Sequence, residues 1–240
     1  MGLALGCSVM IATPSYAATI SWTDWSNPVF AFGSTPGSAD GTLDGGITVK
    51  FTGDVFTATQ VGAVTDTDYW SGFSPPTYTS SAVENVPPPS DVIALIGGDT
   101  RVLTQTLTFS GAPGWSVENP VMAILSLGQL SVPVDYNFVS TSFTTLSLLS
   151  LGAGYFDPGF LGSLSLSGNV LTGHEGHGVI QFLGTFDSNN PTITWTIPSP
   201  ENWHGWTVGI ASVPEPASLM LLGAGLAGIG IWRRKAAAKG

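Results

Sequence analysis

Charge is what this sequence has least of. Only 9% of its 240 residues are Asp, Glu, Lys or Arg, against roughly a quarter in an ordinary soluble domain. Basic residues are scarcer still: from Asp24 to Glu215 sixteen acidic residues face only Lys50 and Arg101, a balance of −14. Nucleic-acid affinity rests on Lys and Arg that neutralise phosphates, so a body this acidic excludes nucleic acid as a partner. Cysteine is almost absent. Cys7 is the only one and sits in an N-terminal apolar segment expected to be removed. The mature body then has no thiol, which excludes a disulfide framework and a Cys-based zinc site.

What fills the chain instead is Gly, Ser, Thr and β-branched or aromatic residues, a mixture suited to strands and turns rather than helices. Ile193, Trp195 and Ile197 alternate with Thr192, Thr194 and Thr196, and Ile47, Val49 and Phe51 alternate with Thr48, Lys50 and Thr52. The same period recurs at Leu103, Leu107 and Phe109 and at Trp206, Val208 and Ile210. One apolar and one polar face is the signature of a half-buried antiparallel strand. Continuous apolar runs over 92–96, 121–127 and 179–183 predict strands buried on both faces. Turn signals separate them, among them Pro36-Gly37, Asp44-Gly45-Gly46, Pro113-Gly114 and Asp157-Pro158-Gly159, and the Pro-rich stretch 71–90 reads as a long surface loop. The expected fold is all-β, an antiparallel β-sandwich or jelly roll over residues 18–212.

The two ends differ from this body. Residues 1–17 are apolar and small and close on Ser15-Tyr16-Ala17, with the small residues at −3 and −1 that a signal peptidase accepts, although no basic segment leads them. A signal peptide over 1–17 is the expectation. At the other end Ala217–Trp232 is an uncharged run of sixteen residues stopped by Arg233-Arg234-Lys235. As a helix it spans roughly 24 Å, somewhat less than a ~30 Å bilayer core, a gap that snorkelling Arg side chains and local thinning can close. Gly223, Gly225, Gly228 and Gly230 would each cost about 1 kcal/mol in a helix in water and are better tolerated in membrane. One short C-terminal transmembrane helix is expected, its basic end in the cytoplasm and the acidic body outside.

Val213-Pro214-Glu215-Pro216, the apolar Gly-rich run and the closing Arg-Arg-Lys, in that order, resemble a PEP-CTERM sorting signal over 213–240. The resemblance implies that Pro-Glu-Pro marks a site used by exosortase, a membrane enzyme of Gram-negative bacteria that make exopolysaccharide. The protein would be exported, anchored in the inner membrane until processed, and then located at the cell surface or outside, where exopolysaccharide is a candidate partner. The prolines suit this role because they keep Glu215 extended and out of helix or sheet. Asn119–Ile124, Gly173–Gly178 and Trp203–Gly205 are similar to segments of one group of such proteins, a likeness that implies a single exported domain and no particular chemistry.

Candidate sites are few. His174-Glu175-Gly176-His177 is the one cluster suited to metal binding or proton transfer, but it is not His-Glu-x-x-His, its glycines disfavour a helix, and His204 is the only further histidine. A polar turn is the plainer reading. Asp66, Asp68, Asp40, Asp44, Asp54 and Asp99 offer oxygen ligands for Ca²⁺, yet no segment has the calcium-loop pattern, and solvated turn aspartates are the simpler account. Seven tryptophans, Trp22, Trp25, Trp70, Trp115, Trp195, Trp203 and Trp206, exceed what one core requires. Because Trp203 and Trp206 lie an odd step apart, they cannot both face inward on one regular strand. Exposed Tyr69, Trp70 or Trp203 beside carboxylates would suit sugar rings. No Gly-x-Ser-x-Gly elbow occurs, so no catalytic residue is nominated. The expectation is a passive structural or adhesive protein; the alternatives are a carbohydrate-binding module and a glycan-active enzyme using a pair of carboxylates, with Glu175 as the first candidate.

Expressed with exosortase, the chain should lose its C-terminal segment near Pro214-Glu215-Pro216, and without the enzyme it should keep it. Intact mass spectrometry of the recovered protein reads the difference, and an unshortened C-terminus in both hosts would refute the sorting signal.

Overall fold

A computed structural model describes residues 17–56, 60–61, 67–96, 104–139, 141–199 and 201–212. The expected signal peptide up to residue 16, Leu103, Asp66, Asp99, the Pro-Glu-Pro motif (Val213, Pro214, Glu215, Pro216), the Ala217–Trp232 helix and the Arg233-Arg234-Lys235 stop lie outside them. Among the described residues no helix is long and apolar enough to cross a membrane; regular structure is strand, apart from one 3₁₀ turn at Asp44–Gly46.

Two antiparallel sheets lie face to face. The larger orders its strands Ser163–Ser167, Val170–His174, Val134–Val139, Thr192–Thr196, Thr104–Ser110, Ile47–Gly53, Gly37–Leu43 and Asp24–Val29. The other runs Thr145–Leu151, Gly176–Leu183, Val121–Leu127, His204–Ala211, Asp91–Leu95 and Gln60–Val61, with Ile20–Trp22 paired to the far end of His204–Ala211. A short pair, Ser116–Glu118 with Thr185–Asp187, stands apart. Period-two patterning decides which side chains meet between the sheets. Val49, Phe51, Leu107, Phe109, Ile193 and Trp195 from the larger sheet join Ile93, Met122, Ile124, Ile180, Phe182, Trp206 and Val208 from the smaller in one core. Trp206 is its hub: Trp25, Phe51 and Trp195 pack edge-on around it at centroid distances of 5.6, 4.9 and 5.3 Å, the geometry aromatic quadrupoles favour.

The smaller sheet is covered on its other face as well. Val92, Val121, Ala123, Leu125 and Val179 point away from the sandwich core, and Trp70, Tyr78 and Val83 form a second core with them. The stretch 71–90 expected as a surface loop therefore crosses the back of the sheet, with Thr77, Tyr78 and Val83 buried. The reason lies in the strands beneath, which are apolar at successive positions and need partners on both sides. His204–Ala211 also departs from its expected half-exposed pattern. Gly205, Thr207 and Gly209 are buried along with Trp206 and Val208, because Ile20 and Trp22 lie against Gly209 and Val92 and Leu125 against Gly205.

Truncating Trp206 to Ala should cost about 3–5 kcal/mol of unfolding free energy, read from the shift in denaturation midpoint in urea. A loss below ~1 kcal/mol would contradict its place at the centre of the aromatic core.

Candidate functional site

Where the chain passes from one sheet to the other, five segments converge. Val170–His174 belongs to the larger sheet and Gly176–Leu183 to the smaller, so Glu175 is the single residue at the crossing. Its φ of +53° lies in the left-handed region that non-glycine residues seldom occupy. Opposite it the pairing of Val121–Leu127 with Gly176–Leu183 slips, so that one residue, His177, faces two, Leu125 and Ser126. Such a bulge re-aims side chains. Ser126, at φ +57°, donates through Oγ to Glu175 Oε1 and through its amide to His177 Nδ1 at 3.2 Å.

A second carboxylate arrives from the segment before His204–Ala211. Glu201 Oε2 accepts the Gly128 amide at 2.7 Å and lies 3.4 Å from His204 Nδ1. Gly128 has φ +78°, and a Cβ there would run into the Gly173 carbonyl, so only glycine presents its amide at this point. Trp203, partly exposed, follows Glu201 by two residues, and Tyr69 reaches the same place from the start of the segment that crosses the back of the sheet. The fifth segment, 152–162, folds back on itself through paired Gly154 and Asp157 backbone bonds of 3.1 Å. Asp157 Oδ2 accepts the Gly162 amide at 2.6 Å, and Thr77 donates to the Ala153 carbonyl. The fold of this segment sets Tyr155 and Phe156 at the rim.

These parts enclose a cavity of about 310 Å³ lined by Tyr69, Phe156 and Trp203 on its apolar side and by Glu175, Glu201, Ser126, Gln129 and Asn202 on its polar side, with Gly128 between. Tyr69 lies nearly parallel to Phe156 at 5.9 Å and tilted to Trp203 at 5.5 Å, and Phe156 meets Trp203 at 5.1 Å. Burial, and then the nearby Glu201 and Asp157 charges, hold the Glu175 carboxyl above its usual range, opposed by the Ser126 hydrogen bond.

The six proposed contact residues thus separate. Tyr69, Glu175 and Trp203 line the cavity. Trp70 does not: it is buried and packs edge-on against Tyr78 at 4.8 Å, because the strand face beneath it needs covering. His174 stays with the larger sheet, paired with Ser163, while His177 is buried behind Glu175, with Nε2 4.0 Å from Oε1. The two histidines therefore do not form a metal pair, and among the described residues no group of three or more His, Cys, Asp or Glu is arranged to hold a metal ion. Of the aspartates considered for calcium, Asp68 caps its own turn, accepting the Trp70 and Ser71 amides at 2.9 and 3.1 Å, and Asp44 accepts the Ser212 hydroxyl. Sequence reasoning missed Ser126, Glu201, Gln129, Asn202 and Phe156. The only signal was adjacency, Glu201-Asn202 beside Trp203 and Phe156 inside a Pro-Gly turn.

His177 Nδ1 accepts the Ser126 amide and lies 3.1 Å from the Tyr78 hydroxyl, so the proton of the neutral ring sits on Nε2. Burial pushes its pKa down to about 4, against the pull of Asp157. The folded state then refuses a proton that the unfolded chain takes up near 6.5, so this contribution is complete above about pH 6.5 and is lost as pH falls toward 4. Asp91 works the other way. Its carboxyl is raised to about 6 mainly by burial, which costs stability as pH rises from about 4 to 6. Relative to His177→Gln, the wild-type chain should lose about 3 kcal/mol between pH 6.5 and 4 in urea titrations. Parallel pH curves for the two would refute a neutral buried His177.

No curated protein and no solved structure matches this chain. The family model described as the PEP-CTERM protein-sorting motif matches residues 212–235, directly after the His204–Ala211 strand. The C-terminal segment thus carries a PEP-CTERM protein-sorting motif, which implies an exported protein with a membrane-anchoring tail before sorting and processing by exosortase.

Proposed function

We propose that the β domain is a non-catalytic adhesive module of the cell surface or extracellular matrix, and that it holds a saccharide unit of exopolysaccharide in the cavity between Tyr69, Phe156, Trp203 and Glu175. The observation that carries this is the convergence of three aromatic rings with carboxylate and amide side chains in one concavity. Sugar rings offer an apolar face for stacking and hydroxyls for polar groups, the combination that such a cavity complements. Its volume lies at the lower end of small-ligand sites, which suits one or two ring units. Phe156, 48% exposed on the rim, gives an arriving chain a surface to meet.

A hydrolytic reading draws on the same two carboxylates, since glycosidases place a pair across the scissile bond. The setting of Glu201 speaks against it. Its side chain is 2% exposed, and its Oε2 is held by the Gly128 amide beside His204, so it is poorly placed to activate a water or attack a sugar. Binding without turnover is the better fit.

Calorimetric titration with oligosaccharides prepared from bacterial exopolysaccharides tests this. Trp203→Ala should weaken binding about tenfold, the loss of one stacked aromatic contact, with the melting temperature nearly unchanged. No binding to any saccharide, or undiminished binding by the variant, would overturn the proposal, and release of new reducing ends would favour the hydrolytic reading.

A further inference from the structure

No Lys or Arg among the described residues stands against the carboxylates of the cavity. Lys50 is the only Lys or Arg among the described residues, and it is exposed on the Ile47–Gly53 strand, with Asp40 and Thr108 as its neighbours in the sheet. Around Glu175 the nearby charged groups are two further carboxylates, Glu201 and Asp157, and burial keeps the neighbouring His177 imidazole neutral. His177 Nε2 is buried, without a hydrogen-bond partner among the described residues, and 4.0 Å from Glu175 Oε1. Glu201, by contrast, has His204 Nδ1 3.4 Å from its Oε2, so among the described residues Glu175 is the carboxylate left without a cationic neighbour.

The two carboxylates are likewise underused as acceptors. From the described residues they receive one hydrogen bond each, from Ser126 Oγ and from the Gly128 amide, whereas an ionised carboxylate accepts about four. A partly desolvated carboxylate with spare acceptor capacity and like charges beside it, as Glu175 is, is costly. The rings of Tyr69, Phe156 and Trp203 line the same cavity, and aromatic faces attract a cation, most of all an ammonium or guanidinium group that has shed water.

From this juxtaposition of an aromatic wall with the uncompensated Glu175 carboxylate, we infer that the cavity selects an organic ammonium group, carried by a hexosamine unit with a free amine. The inference rests on the saccharide reading above and names its ligand class. A free ammonium offers three donors to the carboxylates while its pyranose ring lies on the aromatic wall, and Gln129 and Asn202 meet the ring hydroxyls. An acetylated amine leaves Glu175 uncompensated, and a uronate adds a further negative charge to a body that already carries a large excess of acid.

The test is calorimetry on the full chain at about pH 6, where the amine is protonated, using oligomers of glucosamine, of N-acetylglucosamine and of galacturonate, with choline as a sugar-free ammonium. Glucosamine oligomers should bind at least tenfold more tightly than the acetylated ones and galacturonate not at all, and the preference should shrink as salt is raised. Glu175→Gln should reduce the preference to about twofold. Glu175→Asp, which keeps the charge, should retain most of it and guards against a folding defect in the first variant. Equal binding of free and acetylated oligomers would overturn this inference and leave the saccharide reading standing. Binding of choline without any saccharide, or of no probe, would overturn both.

Discussion

The constraint on which this structure depends is that its smaller sheet is apolar on both faces. Val121–Leu127 is buried at every position and Asp91–Leu95 likewise, so water must be kept from two surfaces with a chain that has few charges to spend on solubility. One face is satisfied by the larger sheet through the core centred on Trp206. The other has no third sheet to meet and is closed by the segment 67–90, whose Trp70, Tyr78 and Val83 are driven onto it by the apolar area they remove from water.

The site follows from that closure. A segment that must lie across the back of the sheet has to begin at its rim, and there Tyr69 turns toward the cavity while its neighbour Trp70 turns into the core. Underneath, Tyr78 reaches His177, and Thr77 pins the 152–162 segment at Ala153. His177 in turn lies against Gly154, where a Cβ would strike the imidazole ring. The position of Phe156, and with it one wall of the cavity, is thus referred back to the packing of the second core. Function and fold share contacts here, so core substitutions near Tyr78 are expected to reach the site through Thr77 and His177.

The strands were legible because period-two patterning is a local property. Ile193, Trp195 and Ile197 point inward and their threonine neighbours do not; 121–127 and 92–95 are the doubly buried strands their apolar runs indicate, whereas 179–183 is half-buried at Gln181 and Leu183. What escaped is non-local. Nothing in 71–90, rich in Pro and Ser, tells that an uncovered sheet face awaits it. The burial of Thr207 is likewise invisible in a Trp-Thr-Val alternation, since it depends on Trp25, whose indole donates to the Thr207 hydroxyl at 3.0 Å across 182 residues of chain. The pairing of Glu175 with Glu201 is of the same kind. Each occurs in an unremarkable polar turn, and only the crossing between sheets brings them to one cavity. The histidines illustrate the converse: His174 and His177, neighbours in sequence, are sent to different sheets by the same crossing.

Backbone strain marks the place independently of any side-chain chemistry. Ser126, Glu175 and Gly128 all have φ between +53° and +78°, and all three line the cavity. For the two that carry a Cβ, such conformations cost on the order of 1–3 kcal/mol and persist only when their surroundings overdetermine them. Here the surroundings are the slipped register opposite His177 and the one-residue passage between sheets. A plain turn would reconnect Val170–His174 to Gly176–Leu183 without placing a desolvated carboxylate on a left-handed residue, and a regular ladder would leave Ser126 unable to reach it. The fold bears both costs at one corner, beside an aromatic wall that is partly open to solvent, and the only return visible for them is a cavity whose acceptors are held in place before a ligand arrives.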